Sequence, residues 1–185
     1  MGRLLGSIVR LAIVGAVGAW LIDRWLRDRE GGEGGAGPMP IRASIEIDAP
    51  IGRVWTVLAD IERQPEWMHD LKDVRVLTPP PIGVGTRAVG RVQAFGIAVE
   101  DPIEITVFEP PVRYAIRHQG FVSGGGDIRL VAEGGDGDTA TTLVTWEETL
   151  VPRVLPHLGS LVLAMVFEPI FRRDLERLAA LVEAD

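Results

Sequence analysis

The 185-residue chain contains no cysteine and no asparagine, and its single lysine, Lys72, stands against 18 arginines. Without cysteine, disulfides and thiol chemistry are excluded, and the redox compartment is left open. Without asparagine there is no N-glycosylation acceptor. Bases are outnumbered, 19 to 26, and residues 1–40 hold 5 of the bases and 4 of the acids, so the remainder stands at −8. That sign argues against a nucleic-acid groove, which requires a basic face. The three histidines, His69, His118 and His157, are far apart and form no metal-ligand spacing, so neither a metal nor a cofactor is expected. Gly83, Gly85 and Gly90 precede no strand-to-helix turn of a dinucleotide site. Ser44, Ser123 and Ser160 lack the context of a nucleophile elbow. No residue earns a catalytic assignment.

What is abundant is apolar patterning. Leu4 to Ile22 carries one charge, Arg10, and approaches the ~20 apolar residues that a bilayer-spanning helix needs. Trp20 and Trp25 stand where an interfacial aromatic belt would. The expectation is a single-pass membrane anchor over residues 1–29, holding the rest of the chain on a membrane through residues 4–22. The arginine distribution slightly favours a cytoplasmic domain. Two other readings stay open: a cleaved secretory signal ending near Val17-Gly18-Ala19, and an amphipathic helix lying on the surface, continued by Arg24, Trp25, Arg27 and Arg29. Residues 30–40, rich in glycine and proline, read as a flexible linker.

From residue 41 to 185 the pattern is one globular domain. Ile41, Ala43, Ile45 and Ile47 alternate with polar residues, which predicts a strand. Pro50 suits a first helical position, with Asp48 or Ala49 as the cap, and Ile51, Val54, Trp55 and Leu58 share one helical face. Asp60 is expected to cap a second short helix carrying Trp67. Val74–Leu77, Thr86–Phe95, the alternation around Ile103, the run Val112–Gln119, the Ile128 segment and Thr141–Leu150 read as further strands, seven in all, joined at hairpin spacing. Gly124-Gly125-Gly126 is expected to break one run, and residues 134–138 to form a hairpin turn. Leu155 to Ala184 reads as a long closing helix, kinked or broken near Met165 by Pro169.

These residues carry a resemblance. The run Ile45-x-Ile47-x-Ala49-Pro50-x-x-x-Val54-Trp55-x-x-Leu58-x-Asp60, then Pro65-Glu66-Trp67, Gly83-x-Gly85-Thr86-Arg87, Val107-Phe108-Glu109-Pro110-Pro111 and Thr145-Trp146, resembles the START-like (SRPBCC) superfamily over roughly residues 41–185. The resemblance implies an α+β helix-grip fold: a seven-stranded antiparallel sheet wrapped around the C-terminal helix, with two short helices after the first strand and a cavity between sheet and helix. It implies binding of a hydrophobic small molecule or lipid. The alternatives are a cyclase- or dehydratase-type enzyme using the same cavity, and an interaction module with a filled core. Candidate cavity residues are Trp67, Met68, Tyr114, His118, Glu147, Met165 and Phe171, with core packing the alternative for the apolar ones. Glu147 and Glu148 are neighbours on a strand, so they face opposite ways and form no carboxylate pair.

Overall fold

The computed structural model describes residues 2–30, 38–94, 96–134 and 140–184, those at 2–11, 13, 30 and 94 by backbone alone. The alternation after residue 40 forms β1 (Ile41–Ile47), in which Ile41, Ala43 and Ile47 are buried while Arg42, Ser44 and Glu46 are exposed. Then follows α2 (Ile51–Leu58), which buries Val54, Trp55, Val57 and Leu58. Its start differs from expectation. Pro50 is the cap itself, its carbonyl accepting from the Arg53 and Val54 amides, and no side chain caps the helix. Asp48 instead donates its own backbone N–H to Glu183. The second short helix shrinks to a single 3-10 turn, Gln64–Glu66. Pro65 lacks the N–H that a longer helix would need. Trp67 follows it, fully buried.

The remaining strands are β2 (Leu71–Val76), β3 (Arg87–Ala94), β4 (Ile97–Glu109), β5 (Arg113–Gln119), β6 (Val122–Gly134) and β7 (Thr141–Pro152). All seven form one sheet in the order β1-β7-β6-β5-β4-β3-β2, every neighbouring pair antiparallel. Two strands are longer than the sequence pattern suggests. β4 begins directly after the Gly96 turn, and β6 runs straight through Gly124-Gly125-Gly126. Glycine weakens a strand interior but also marks where another group passes close. Here a Cβ on Gly126 would collide with the Glu148 carboxylate of β7. Residues 135–138 of the expected hairpin turn lie outside the described residues.

The closing helix α3 (Pro156–Ala184) continues through Pro169, so the break that was one of the two expected outcomes does not occur. Met165, whose carbonyl loses its partner to Pro169, is 69% exposed, so water can take that bond. The C-terminal half of α3 buries Leu175, Leu178 and Val182 against β1, β7 and α2, and this is where the core sits. The N-terminal half is less buried and stands off the sheet. A sheet with one apolar face and a long helix solve each other's burial problem, but only at one end of this molecule.

The N-terminal segment is α1 (Gly2–Glu30), which packs on α3. Asp23, 2% exposed, accepts hydrogen bonds from the backbone N–H groups of His157 and Leu158 at 2.9 and 3.0 Å. It thereby caps α3 from another helix, satisfying donors that a first turn leaves free. The expected spanning helix is not supported: among the described residues no helix is long and apolar enough to cross a membrane. A buried aspartate committed to the domain, followed by Arg24, Arg27, Asp28 and Arg29, ends the apolar run too early. The side chains of the run's first part, 4–11, lie outside the described residues, as do residues 31–37 of the expected linker.

Candidate functional site

Between the N-terminal half of α3 and strands β2 to β7 lies a cavity of about 610 Å³. This is within the size range of small-molecule sites. Its walls are mostly aliphatic and aromatic. Val74 and Val92 come from β2 and β3, Ile116 and Ile128 from β5 and β6, and Val166 and Ile170 from α3. Ile97, Val99, Phe121 and Val162 line it and are also exposed to solvent, which places the mouth among them.

Strand alternation aims a polar ladder into this apolar space. On β5, Tyr114, Ile116 and His118 share the inward face. His118 Nδ1 donates to Asp101 Oδ2 of β4 at 2.7 Å, and Nε2 donates to Glu148 Oε1 of β7. Glu148 sits two strands away, roughly 10 Å at the usual strand spacing. It reaches His118 because Gly126, its register partner on the intervening β6, has no side chain. The other Glu148 oxygen accepts from Trp146 Nε1 at 2.8 Å. Trp146 stacks on Phe171 of α3, with ring centroids 4.1 Å apart and planes 5° off parallel. Burial by itself would strip the proton from His118, but hydrogen bonds to Asp101 and Glu148, and their charges, outweigh it and raise the pKa to about 10. At neutral pH the ring is an imidazolium clamped between two carboxylates, a buried charge with partners on both sides.

A second polar group lies where α3 meets the start of β2. Asp174, 3% exposed, accepts the His69 backbone N–H at 2.8 Å. Burial pushes its carboxyl up to about 6; the His69 hydrogen bond opposes this, the Asp70 charge adds to it, and Arg177 opposes it. Asp70 Oδ2 is buried without a hydrogen-bond partner. So is the hydroxyl of Tyr114, a residue 2% exposed on the cavity wall. Its pKa is raised to about 12, first by burial; the nearby Gln64 side chain opposes this, though too far away or misaligned to complete a bond, and the Glu148 charge adds to it. Among the described residues no group of three or more His, Asp or Glu is arranged to hold a metal ion.

Of the residues singled out from sequence, Met68, Tyr114, His118 and Phe171 line the cavity. Trp67 does not; it is core, edge-on to Trp146 at 5.9 Å. Met165 points to solvent. Glu147 is on the outer face of the sheet, paired with Arg42 at 3.1 Å, and its place in the cavity is taken by Glu148. The alternation Val144-x-Trp146-x-Glu148 carried that signal, since the apolar residues mark the inward register. Asp101 was missed because β4 was read as starting later. Asp174 was missed because its place on the Phe171–Leu175–Leu178 face was read only for apolar residues.

A seven-stranded antiparallel sheet gripping one long helix around an internal cavity defines a helix-grip α+β domain. The chain belongs to the polyketide cyclase/dehydrase and lipid transport family, whose model matches residues 40–183, and so to the START-like (SRPBCC) superfamily. No curated protein matches it. Among solved structures, it is similar to a protein of Thermus thermophilus (19% identity, TM-score 0.61, covering 79% of this chain and 98% of that one). It is also similar to the ZhuI aromatase/cyclase of Streptomyces sp. R1128 (18%, 0.61, 78% and 93%). A conserved protein of Geobacillus kaustophilus matches as well (18%, 0.62, 79% and 96%). At these identities the likeness is one of fold.

Proposed function

We propose that this domain binds a hydrophobic small molecule in the cavity between its sheet and α3. The observation that carries this is the unfilled volume of about 610 Å³ with an almost wholly apolar wall, in a position that core side chains would otherwise occupy. Empty apolar space of that size is costly unless a ligand fills it. The family supports the same reading. The test is titration of the protein with Nile red, following dye emission and tryptophan emission together. Saturable binding is expected, and Val166→Trp, which places an indole in the cavity from a half-exposed helix position, should abolish it with little change in the urea midpoint. Binding unchanged by that substitution would place the dye elsewhere and remove the support.

The clamped His118 favours a second reading, an enzyme of the cyclase or dehydratase kind in which this group moves a proton. Its imidazolium is the acid available at neutral pH, and the carboxylates on either side are the bases. Turnover of a hydroxyl-bearing aromatic precursor that is lost in His118→Gln, with Nile red binding kept, would favour catalysis over simple carriage.

The place of action we propose is a lipid surface. On α1, Val14, Val17, Leu21 and Trp25 are exposed and recur at the spacing of one helical face. Arg24 lies over Trp20 and Arg29 over Trp25, an arrangement that suits the headgroup boundary of an anionic bilayer. Vesicle flotation tests it.

A further inference from the structure

We propose that the cavity selects uncharged ligands that bring their own hydroxyl group, and rejects carboxylates; this rests on the cavity being a ligand site, as argued above. The charged groups that line it are five acids, Asp70, Glu100, Asp101, Glu148 and Asp174, with His118. Among the described residues that line it, none is arginine or lysine. The one cation is already committed, because both His118 nitrogens are occupied by Asp101 and Glu148. A fatty acid or any other carboxylate would therefore carry its charge out of water to a wall that offers no counter-ion and several like charges. An uncompensated buried charge is among the most unfavourable arrangements in a protein.

The same wall has unsatisfied hydrogen-bonding capacity. The Tyr114 hydroxyl is deeply buried and unpartnered, and Asp70 presents a buried, unpartnered carboxylate oxygen. Both residues line the cavity, although neither of these two atoms is itself exposed on its wall, so a ligand meets them only when the side chain turns toward it. A buried polar group left without a partner is costly, and most such groups in native proteins are paired. The Tyr114 hydroxyl can donate to a carbonyl or hydroxyl oxygen, while Asp70 can only accept, so it calls for an O–H. Alcohols and phenols on an apolar body meet both demands; hydrocarbons meet neither, and carboxylates meet one at the cost of a buried charge.

Three probes with one fluorescent body separate these demands: butylpyrene, pyrene-butanol and pyrene-butyrate, titrated into the full chain at about pH 7.5. The alcohol is expected to bind roughly tenfold or more tightly than the carboxylate, as an unpaired buried charge implies, and several-fold more tightly than the hydrocarbon. Tyr114→Phe or Asp70→Asn should bring the alcohol toward the hydrocarbon, leaving the hydrocarbon's own affinity in place as the control for folding. Asp70→Asn should also narrow the gap to the carboxylate. If the hydrocarbon binds in the cavity and the carboxylate equals or exceeds the alcohol, the selectivity is wrong while the ligand site stands. An alcohol-to-hydrocarbon ratio unmoved by both substitutions overturns it equally. If neither hydrocarbon nor alcohol binds, the ligand site itself is wrong and the selectivity falls with it.

Discussion

His118 is held as a mostly buried ring between two carboxylates, and its titration is the sharpest check on the site. An imidazole pKa raised from its ordinary 6.5 to about 10 means that the folded protein holds a proton the unfolded chain releases. The contribution to stability is complete below about 6.5 and is lost as pH rises through about 10. Asp174, raised to about 6, acts in the same direction over a lower range, since its ionised form is the disfavoured one once the pH passes the ordinary carboxylate value. The urea midpoint is therefore expected to fall from mildly acidic to alkaline pH, and in Asp174→Asn the part of the fall around pH 4–6 should vanish. Nitrogen-15 spectra should show a doubly protonated His118 ring at neutral pH. A neutral ring there would refute the clamp. Removing one partner by Glu148→Ala should cost about 3–5 kcal/mol, the usual consequence of orphaning a buried charge. Half of this site was legible in advance. Tyr114 and His118 follow from alternation along β5, and Glu148 was passed over for Glu147 although Val144 and Trp146 mark the inward register of β7.

At the scale of elements, Gly126 explains why β6 was misread. Three consecutive glycines signal a break when only propensity is considered. In the sheet their value is the room they leave: β7 reaches across β6 to β5 only where no Cβ intervenes. Gly126→Ala should therefore cost about 1–3 kcal/mol, as overpacking does, and lower the His118 pKa because Glu148 is pushed aside. A stable Gly126→Ala protein with an unshifted His118 resonance would show that Glu148 needs no such passage. The start of β4 shows no alternation and was missed as well, whereas β1, β7 and α2 were readable because each has one buried and one exposed face, so period two and period 3.6 are imprinted on their residues. The second short helix was not readable. Trp67 is buried by tertiary packing with Trp146, not by membership of an amphipathic helix, and no local pattern records that.

For the whole molecule, the antiparallel sheet and the closing helix followed from the order of the elements and the helix-grip class from the resemblance, while the relation of α1 to the rest followed from neither. An apolar run near the N-terminus says the same thing whether the helix crosses a bilayer, lies on one or packs on a domain. Asp23 distinguishes these, through two hydrogen bonds to α3 that only a three-dimensional arrangement can reveal. It joins the helix carrying the exposed Trp20, Leu21 and Trp25 to the helix whose next turn carries Val162 at the cavity mouth. A bilayer touching α1 would thus lie close to the route by which a hydrophobic ligand enters. The full chain is expected to float with phosphatidylglycerol-containing vesicles, and a shortened chain beginning at Met39 to stay behind while keeping cooperative unfolding and a far-UV spectrum that loses only the helical signal of α1. Leu21→Glu together with Trp25→Glu should release the full chain to a similar extent, since both side chains are exposed. Asp23→Ala should leave flotation intact but slow ligand transfer from vesicle to protein, because the helix would still bind lipid without holding the mouth against it. Flotation equal for full and shortened chains would assign the membrane contact to the domain and leave α1 as a strut for α3.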